Sequence, residues 1–163
     1  KIPLAFSPGS YQLDSMGDLF FEVLSQSRMV FMNKEEAIHI LTEAKKDSHN
    51  ITTILRNMQS LGPSLVSVTD GANGAYAIDS EHVPYKIGTL KDTVVERTGA
   101  GDAYAAGFLG GYMFTHDITE SMRWGTFNAS SIMKTIGAQT RLLTREEIEQ
   151  TSRKYKEFQA EKL

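Results

Sequence analysis

Four consecutive residues, Gly99, Ala100, Gly101 and Asp102, combine side-chain types that could act on a phosphate group. Small residues at the start of a helix leave its unpaired backbone N–H groups accessible, and their partial positive charge suits an anion. Asp102 falls in the first helical turn, where the helix dipole favours a negative side chain. Amides that stabilise a transferring group, beside a carboxylate that accepts a proton, are what phosphoryl transfer to a hydroxyl requires. The alternative for this segment alone is a plain loop-to-helix junction with an aspartate cap.

Composition excludes several other kinds of site. The 163 residues include no cysteine and carry a formal net charge of -3, so disulfides, a thiolate nucleophile and cysteine-ligated metals are excluded. A mildly acidic chain also lacks the basic face that nucleic-acid binding needs. The histidines are scattered, and the P-loop, the nucleophile elbow and the dinucleotide fingerprint are all missing from the sequence. Without an apolar run of roughly 18 residues or a signal-peptide core, we expect a cytoplasmic protein that does not enter a membrane.

A length of 163 residues predicts a single domain over residues 1–163, and 40% hydrophobic with 23% charged residues is the composition of a globular protein. The order of strand and helix patterns along the chain predicts an α/β fold. Strand-length apolar runs lie at residues 2–7, 28–32, 65–69 and 75–78, with weaker candidates at 83–87 and 93–95. Helical spacing of apolar residues is found at 16–27, 33–44, 51–58, 99–114, from 117 to before Gly137, and from 144 onward. Strands that alternate with helices predict a layered domain with a largely parallel sheet.

Local signals also predict how several of these elements begin. Three residue pairs have the spacing of a helix capping box: Asn33 and Glu36, Asp117 and Glu120, and Thr144 and Glu147. A tight turn is predicted over residues 70–74, with Asn73 and Gly74 in the left-handed conformation. The helix starts thus account for some polar residues without any functional role.

Several stretches, taken together and in order, resemble the PfkB carbohydrate kinases, the ribokinase-like family. They are the Thr-Gly-Ala-Gly-Asp run at 98–102, the Asn-x-x-Glu motif at 33–36, the Thr-x-Gly-x-x-Gly turn at 69–74, the Asn128-Ala129 pair, the Gly-Ala-Gln loop at 137–139 and the Ser-Pro-Gly-Ser strand end at 7–10. The similarity extends over roughly residues 2–150 and corresponds to the C-terminal, nucleotide-binding half of these kinases. The resemblance implies a ribokinase-like layered fold, truncated on its N-terminal side.

The resemblance also implies a role for each matching residue. Asp102 would be the catalytic base, the backbone of Gly99, Ala100 and Gly101 the anion hole, Thr69, Gly71 and Gly74 the lining of the ATP site, Asn128 a neighbour of the adenine, and Asn33 and Glu36 the Mg²⁺ and phosphate end, through water. Each residue type also has an ordinary structural alternative. Asn33 and Glu36 could only cap a helix, the two turn glycines could only form the turn, and Asn128 could be an exposed polar residue.

The function implied is transfer of the γ-phosphate of ATP, with Mg²⁺, to a hydroxyl of a small sugar. The pairs Tyr11-Gln12 and Trp124-Gly125, together with the loop at 137–139, resemble the sugar and keto-sugar kinases more than the nucleoside kinases. A second interpretation is a non-catalytic nucleotide-binding or interaction module derived from a truncated kinase fold. Since half of an α/β sheet leaves an open strand edge, we also expect homo-oligomers.

Two residues depart from the family pattern. Glu96 stands where the family usually has an aspartate that helps to hold a monovalent cation, and Arg141 stands in a loop where small residues are common. Both departures disfavour a potassium-type site.

Overall fold

The computed structural model describes residues 2–163 and has an α/β fold. In chain order its helices and strands are β1 (Ala5–Phe6), α1 (Ser10–Asp14), α2 (Asp18–Gln26), β2 (Met29–Asn33), α3 (Lys34–Glu43), α4 (Ile51–Gln59), β3 (Leu65–Thr69), β4 (Ala75–Ile78), β5 (Pro84–Ile87), α5 (Ala100–Thr115), α6 (Ile118–Ile132), α7 (Arg145–Lys154) and β6 (Glu161–Lys162). The six strands form one mixed sheet in the order β1-β2-β3-β4-β5-β6, in which β1, β2 and β3 are parallel. The predicted fold class is confirmed.

The chain packs as two compact units. Unit 1 comprises the residues up to Asp70, Tyr76–Tyr85 and Lys162–Leu163, and unit 2 comprises Gly71–Ala75 and Lys86–Glu161. No helix among the described residues combines the length and the apolar character needed to cross a membrane.

Unit 1 has its core around β2 and β3. Both strands are buried over four successive residues, as expected for parallel strands covered on two faces. Apolar side chains exposed by no more than 1% fill this core: Leu24, Val30, Ile40, Leu41, Ile54, Leu55, Met58, Val66 and Val68. Each of the two strands then ends on a polar residue, Asn33 and Thr69, and the parallel register places these two directly opposite one another. The core therefore fixes a pair of polar residues at the carboxyl ends of β2 and β3.

Unit 2 is built on the close packing of α5 against α6, which glycines make possible. A Cβ at Gly107 would lie 2.7 Å from the Trp124 carbonyl oxygen, and a Cβ at Gly125 would lie 2.9 Å from the Tyr104 ring. Side chains of any size at these positions would push the helices apart. The two helices thus approach backbone against backbone at Gly107, and backbone against the Tyr104 ring at Gly125.

Buried Arg123 of α6 hydrogen-bonds to the backbone of the C-terminal part of unit 2. Its guanidinium donates hydrogen bonds to the carbonyl oxygens of Ser152, Tyr155 and Phe158, at 2.7 to 3.1 Å. It also pairs with the Glu120 carboxylate. Arg123 is only 5% exposed, and a buried charge of this kind is tolerated only when it is paired and fully hydrogen-bonded.

Two predictions of local structure, a strand and the left-handed residues of a turn, were wrong. The segment 93–95 forms no strand. In the turn after β3, the left-handed residues are Gly71 (φ 54°) and Gly74 (φ 92°), and Asn73 instead ends a short 3₁₀ turn. The capping boxes of α3 and α7 are confirmed.

The third error concerns the start of α6. Asp117 does cap this helix through the N–H groups of Thr119 and Glu120. Glu120 does not reciprocate, because its carboxylate binds Arg123 and the Trp124 indole N–H instead. Side chains one helical turn further along α6 have therefore replaced the backbone hydrogen bond that the spacing predicted.

Candidate active site

The N-terminus of α5 presents free hydrogen-bond donors. Gly99 is the N-cap residue in the left-handed conformation (φ 79°), and a Cβ there would lie 2.7 Å from the Ala138 carbonyl oxygen. Both facts require glycine at this position. The Ala100 N–H donates to the Arg97 carbonyl, whereas the N–H groups of Gly99, Gly101 and Asp102 find no acceptor within residues 2–163. The helix therefore offers three unpaired amides, and Ala100 is the one member of the predicted set whose amide is engaged.

Asp102 carries an exposed carboxylate three residues after the N-cap. It makes no capping hydrogen bond, and no ion pair or hydrogen bond to it occurs in the described part of the chain. The aspartate-cap alternative is therefore wrong for this segment. A carboxylate that is neither capping nor paired is free to accept a proton from a bound hydroxyl.

Glu96 joins the loop before α5 to the loop after α6. Its carboxylate accepts a hydrogen bond from the Gly137 N–H at 2.8 Å and another from the Thr98 side chain. The Thr98 hydrogen bond, followed by that from Gly137, holds the pKa of Glu96 below its usual value. The sequence marked Glu96 only as a departure from a family pattern, and nothing local in it identified Gly137 as the partner.

The two glycines of the turn after β3 differ in what surrounds them. A Cβ at Gly74 would lie 2.0 Å from the Ile87 carbonyl oxygen, so packing alone requires this glycine. At Gly71 a Cβ would meet nothing within 4 Å. The left-handed φ values of both glycines agree with the alternative that they only form the turn, and Gly71 is the one of the two with open space around it.

At the carboxyl ends of β2 and β3, unit 1 brings together Asn33, Glu36 and Thr69. The capping box uses the Asn33 Oδ1 atom and the Glu36 Oε2 atom, which leaves the other oxygen of the Glu36 carboxylate available. Lys34 pairs with Asp70 across the same two strand ends, at 3.0 Å. Sequence reasoning did not find this ion pair, because its partners are 36 residues apart.

These residues fit a magnesium ion that is held mainly by phosphates and water. No group of three or more histidine, aspartate or glutamate side chains suited to a metal occurs among the residues described. Mg²⁺ in kinases needs only one or two carboxylates, together with substrate phosphates and water. The free oxygen of Glu36 meets that requirement.

Asn128 lies inside unit 2 and is 4% exposed. Its Nδ2 donates to the Ala103 carbonyl at 2.7 Å, and its Oδ1 accepts from the Leu143 N–H at 2.9 Å. The alternative of an ordinary exposed polar residue is therefore wrong. Asn128 connects α6 to the first turn of α5 and to Leu143, the residue before the N-cap of α7, while its place beside an adenine stays a prediction.

Replacing Asn128 with alanine is expected to destabilise the protein by about 1–3 kcal/mol, because buried hydrogen-bonding groups lose their partner. Chemical denaturation followed by circular dichroism measures this loss. The matched control is Asn57→Ala, which removes a side-chain amide that hydrogen-bonds at the exposed surface. If Asn128→Ala kept parental stability and lost only nucleotide affinity, the two hydrogen bonds of Asn128 would make no contribution to the stability of the fold.

Comparison with known proteins shows which family the chain is similar to. The sequence pattern of the family described as pfkB family carbohydrate kinase matches residues 9–145. The chain is 33% identical to the cytidine kinase of Thermococcus kodakarensis over 122 residues, which is 74% of this chain and 42% of that protein. It is 25% identical over 130 residues to the 5-dehydro-2-deoxygluconokinase of Shouchella clausii, covering 80% of this chain and 39% of that one.

Solved structures show the same fold. The nucleoside kinase of Methanocaldococcus jannaschii matches with a TM-score of 0.78 and 26% identity, over 94% of this chain and 48% of that protein. The ribokinase of Thermotoga maritima matches with a TM-score of 0.80 and 20% identity, over 93% and 49%. The chain therefore spans about half, or somewhat less, of the length of the proteins that it matches.

Proposed function

Because the chain belongs to the pfkB family of carbohydrate kinases, we propose that it forms the nucleotide-binding part of a kinase that transfers the γ-phosphate of ATP to a hydroxyl of a small sugar. The proposal includes the cytoplasmic location expected for an enzyme that consumes ATP. The observation that carries it is the start of α5, where unpaired amides and an unpaired carboxylate occur within four residues.

Each of these groups has a chemical part to play. The amides of Gly99 and Gly101 stabilise negative charge that develops on the transferring phosphoryl group. The Asp102 carboxylate accepts the proton of the acceptor hydroxyl, which becomes a better nucleophile as it loses that proton. Gly99 holds the helix start close to Ala138, so these groups are positioned before any substrate binds.

The remaining predicted residues serve the nucleotide. The proposal assigns Thr69 and Gly71 to the lining of the ATP site, Asn33 and Glu36 to the phosphates and Mg²⁺, and Asn128 to the adenine. Bound Mg²⁺ neutralises charge on the phosphates of ATP. Glu36 would hold that ion through water while its other oxygen continues to cap α3.

Nucleotide binding tests the proposal directly. We expect ATP with Mg²⁺ to bind, and we expect Gly101→Val to weaken binding because its methyl groups cover the amides. A Cβ at Gly101 meets nothing within 4 Å, so the first atom of the new side chain clashes with no neighbour. Titration calorimetry on the parent and on both Gly101→Val and the matched Gly110→Val protein measures the difference; Gly110 has equally open surroundings on the same helix. Equal affinity for all three proteins, or no heat from folded parent, would contradict the proposal.

A nucleoside acceptor is the second candidate. It is favoured by the 33% identity to a cytidine kinase and by the similarity to a nucleoside kinase structure. Formation of ADP with a panel of pentoses, hexoses and keto-sugars, against the same assay with nucleosides, separates the two. If the panel gave no ADP although ATP bound, the non-catalytic binding module would become the better interpretation.

A further inference from the structure

Glu96 lies in the irregular segment that leads from β5 to α5, and it connects that segment to the loop after α6. The Glu96 carboxylate accepts hydrogen bonds from the Gly137 N–H, at 2.8 Å, and from Thr98. One acceptor thus bridges a residue of its own loop and a residue 41 positions further along the chain. The bridge is partly buried, so water competes with it less than with a hydrogen bond at the open surface.

Backbone contacts lie on both sides of this bridge, and further upstream the Asp92 carboxylate binds Ser130 and Lys134. The N–H groups of Val95 and Glu96 donate to the Met133 carbonyl, at 2.8 and 3.3 Å. Gly99 then packs against Ala138, next to Gly137. The Glu96 bridge is therefore the side-chain link between these two backbone contacts, and it fixes the distance between the two loops.

Displacement of either loop would be transmitted to the start of α5. Gly99 is in contact with the loop after α6, and the helix that carries Asp102 begins at the next residue. Beyond the first turn, α5 cannot follow such a displacement, because Gly107 and Asn128 lock it against α6. The position of the Asp102 carboxylate and of the free amides therefore depends on the bridge.

We propose that Glu96 is a positioning residue that holds the unpaired amides and the Asp102 carboxylate in place for phosphoryl transfer, by bridging the loops on either side of α5 and α6. The inference rests on the proposed function, since it concerns the same site. Glu96 itself contacts neither phosphate nor acceptor; it acts through Gly99 and the first turn of α5.

The test compares Glu96→Ala, Glu96→Gln and the control Glu157→Ala, which removes an exposed carboxylate that has no partner in the described chain. Hydrogen exchange at the Gly137 amide reports the bridge itself. Steady-state kinetics of phosphoryl transfer, on the protein that contains this chain, reports its consequence. Glutamine keeps a carbonyl oxygen that can accept the Gly137 hydrogen bond, and alanine keeps none.

We expect Glu96→Ala to lose protection at Gly137 and to lower kcat by about 10²-fold, which is the cost of a misplacement of about 1 Å in a reacting group. KM for ATP should change much less, and Glu96→Gln should recover both protection and most of kcat. Glu157→Ala should match the parent in every measurement.

Two results would overturn the inference. Unchanged protection at Gly137 in Glu96→Ala would show that the bridge does not exist in solution. Lost protection with parental kcat would show that the bridge exists but positions nothing. A parent protein without any kinase activity would refute the proposed function and the positioning role together, whereas hydrogen exchange would still decide on the bridge alone.

Discussion

Asp102→Asn is expected to lower the rate of phosphoryl transfer by about 10²–10⁴-fold, which is the usual contribution of a general base. Asparagine keeps the size of the side chain and most of its polar character, but it cannot accept the hydroxyl proton. ATP affinity should change little, because the amides of Gly99 and Gly101 are backbone groups that the substitution leaves in place. Single-turnover kinetics at saturating ATP and acceptor measures the effect on the chemical step.

The matched control is Asp18→Asn. Asp18 is also an exposed aspartate in the first turn of a helix, and the substitution removes the same charge. It should leave the transfer rate unchanged. If Asp102→Asn kept near-parental turnover with an accepted sugar or nucleoside, Asp102 would have no part in the mechanism, and the proposed function would lose its central observation.

Gly107→Ala is expected to destabilise the protein by about 1–3 kcal/mol, the usual cost of an extra methyl group in a closely packed core. Alanine normally favours a helix over glycine by about 1 kcal/mol. A loss of stability on Gly107→Ala would therefore indicate a steric clash and not a helix-propensity effect. The added methyl would lie 2.7 Å from the Trp124 carbonyl oxygen and 3.0 Å from the Gly125 Cα. Both are backbone atoms of α6, so relief requires the two helices to separate. Thermal unfolding measures the change, at about 2–4 °C for each kcal/mol.

Gly110→Ala provides the control on the same helix. A Cβ at Gly110 meets nothing within 4 Å, so the substitution should stabilise the protein by about 0.4–1 kcal/mol through the lower entropy of the unfolded chain. Opposite signs for two Gly→Ala changes three residues apart would identify close packing of α5 on α6 as the cause. Stabilisation by both substitutions would contradict that packing.

The sequence was most informative where the signal was local or continuous. The strand predicted at 65–69 agrees with β3 at both ends, because an apolar run between turn residues is typical of a buried parallel strand. The capping boxes of α3 and α7 also follow from side chains three residues apart, which meet in any helix start. The fold class and the chemical character of residues 99–102 could be predicted for the same reason.

Residues that depend on distant partners were predicted less well. Asn128 is polar and lies mid-helix, which suggests exposure, but its partners Ala103 and Leu143 are 25 and 15 residues away. Glu96 likewise finds Gly137 far along the chain. No periodicity or spacing encodes such pairs. The chemistry of single residues could therefore suggest which residues belong to the candidate site, but not which distant residues hydrogen-bond to them.

Arg123 shows how a fold can depend on the path of a segment and not on the side chains along it. The family pattern ends at residue 145, whereas this buried guanidinium binds carbonyl oxygens at residues 152, 155 and 158. Every amino acid has a backbone carbonyl, so a substitution at any of these three positions leaves the acceptor of the hydrogen bond in place. What these three hydrogen bonds require is that the backbone returns to Arg123 at residues 152, 155 and 158.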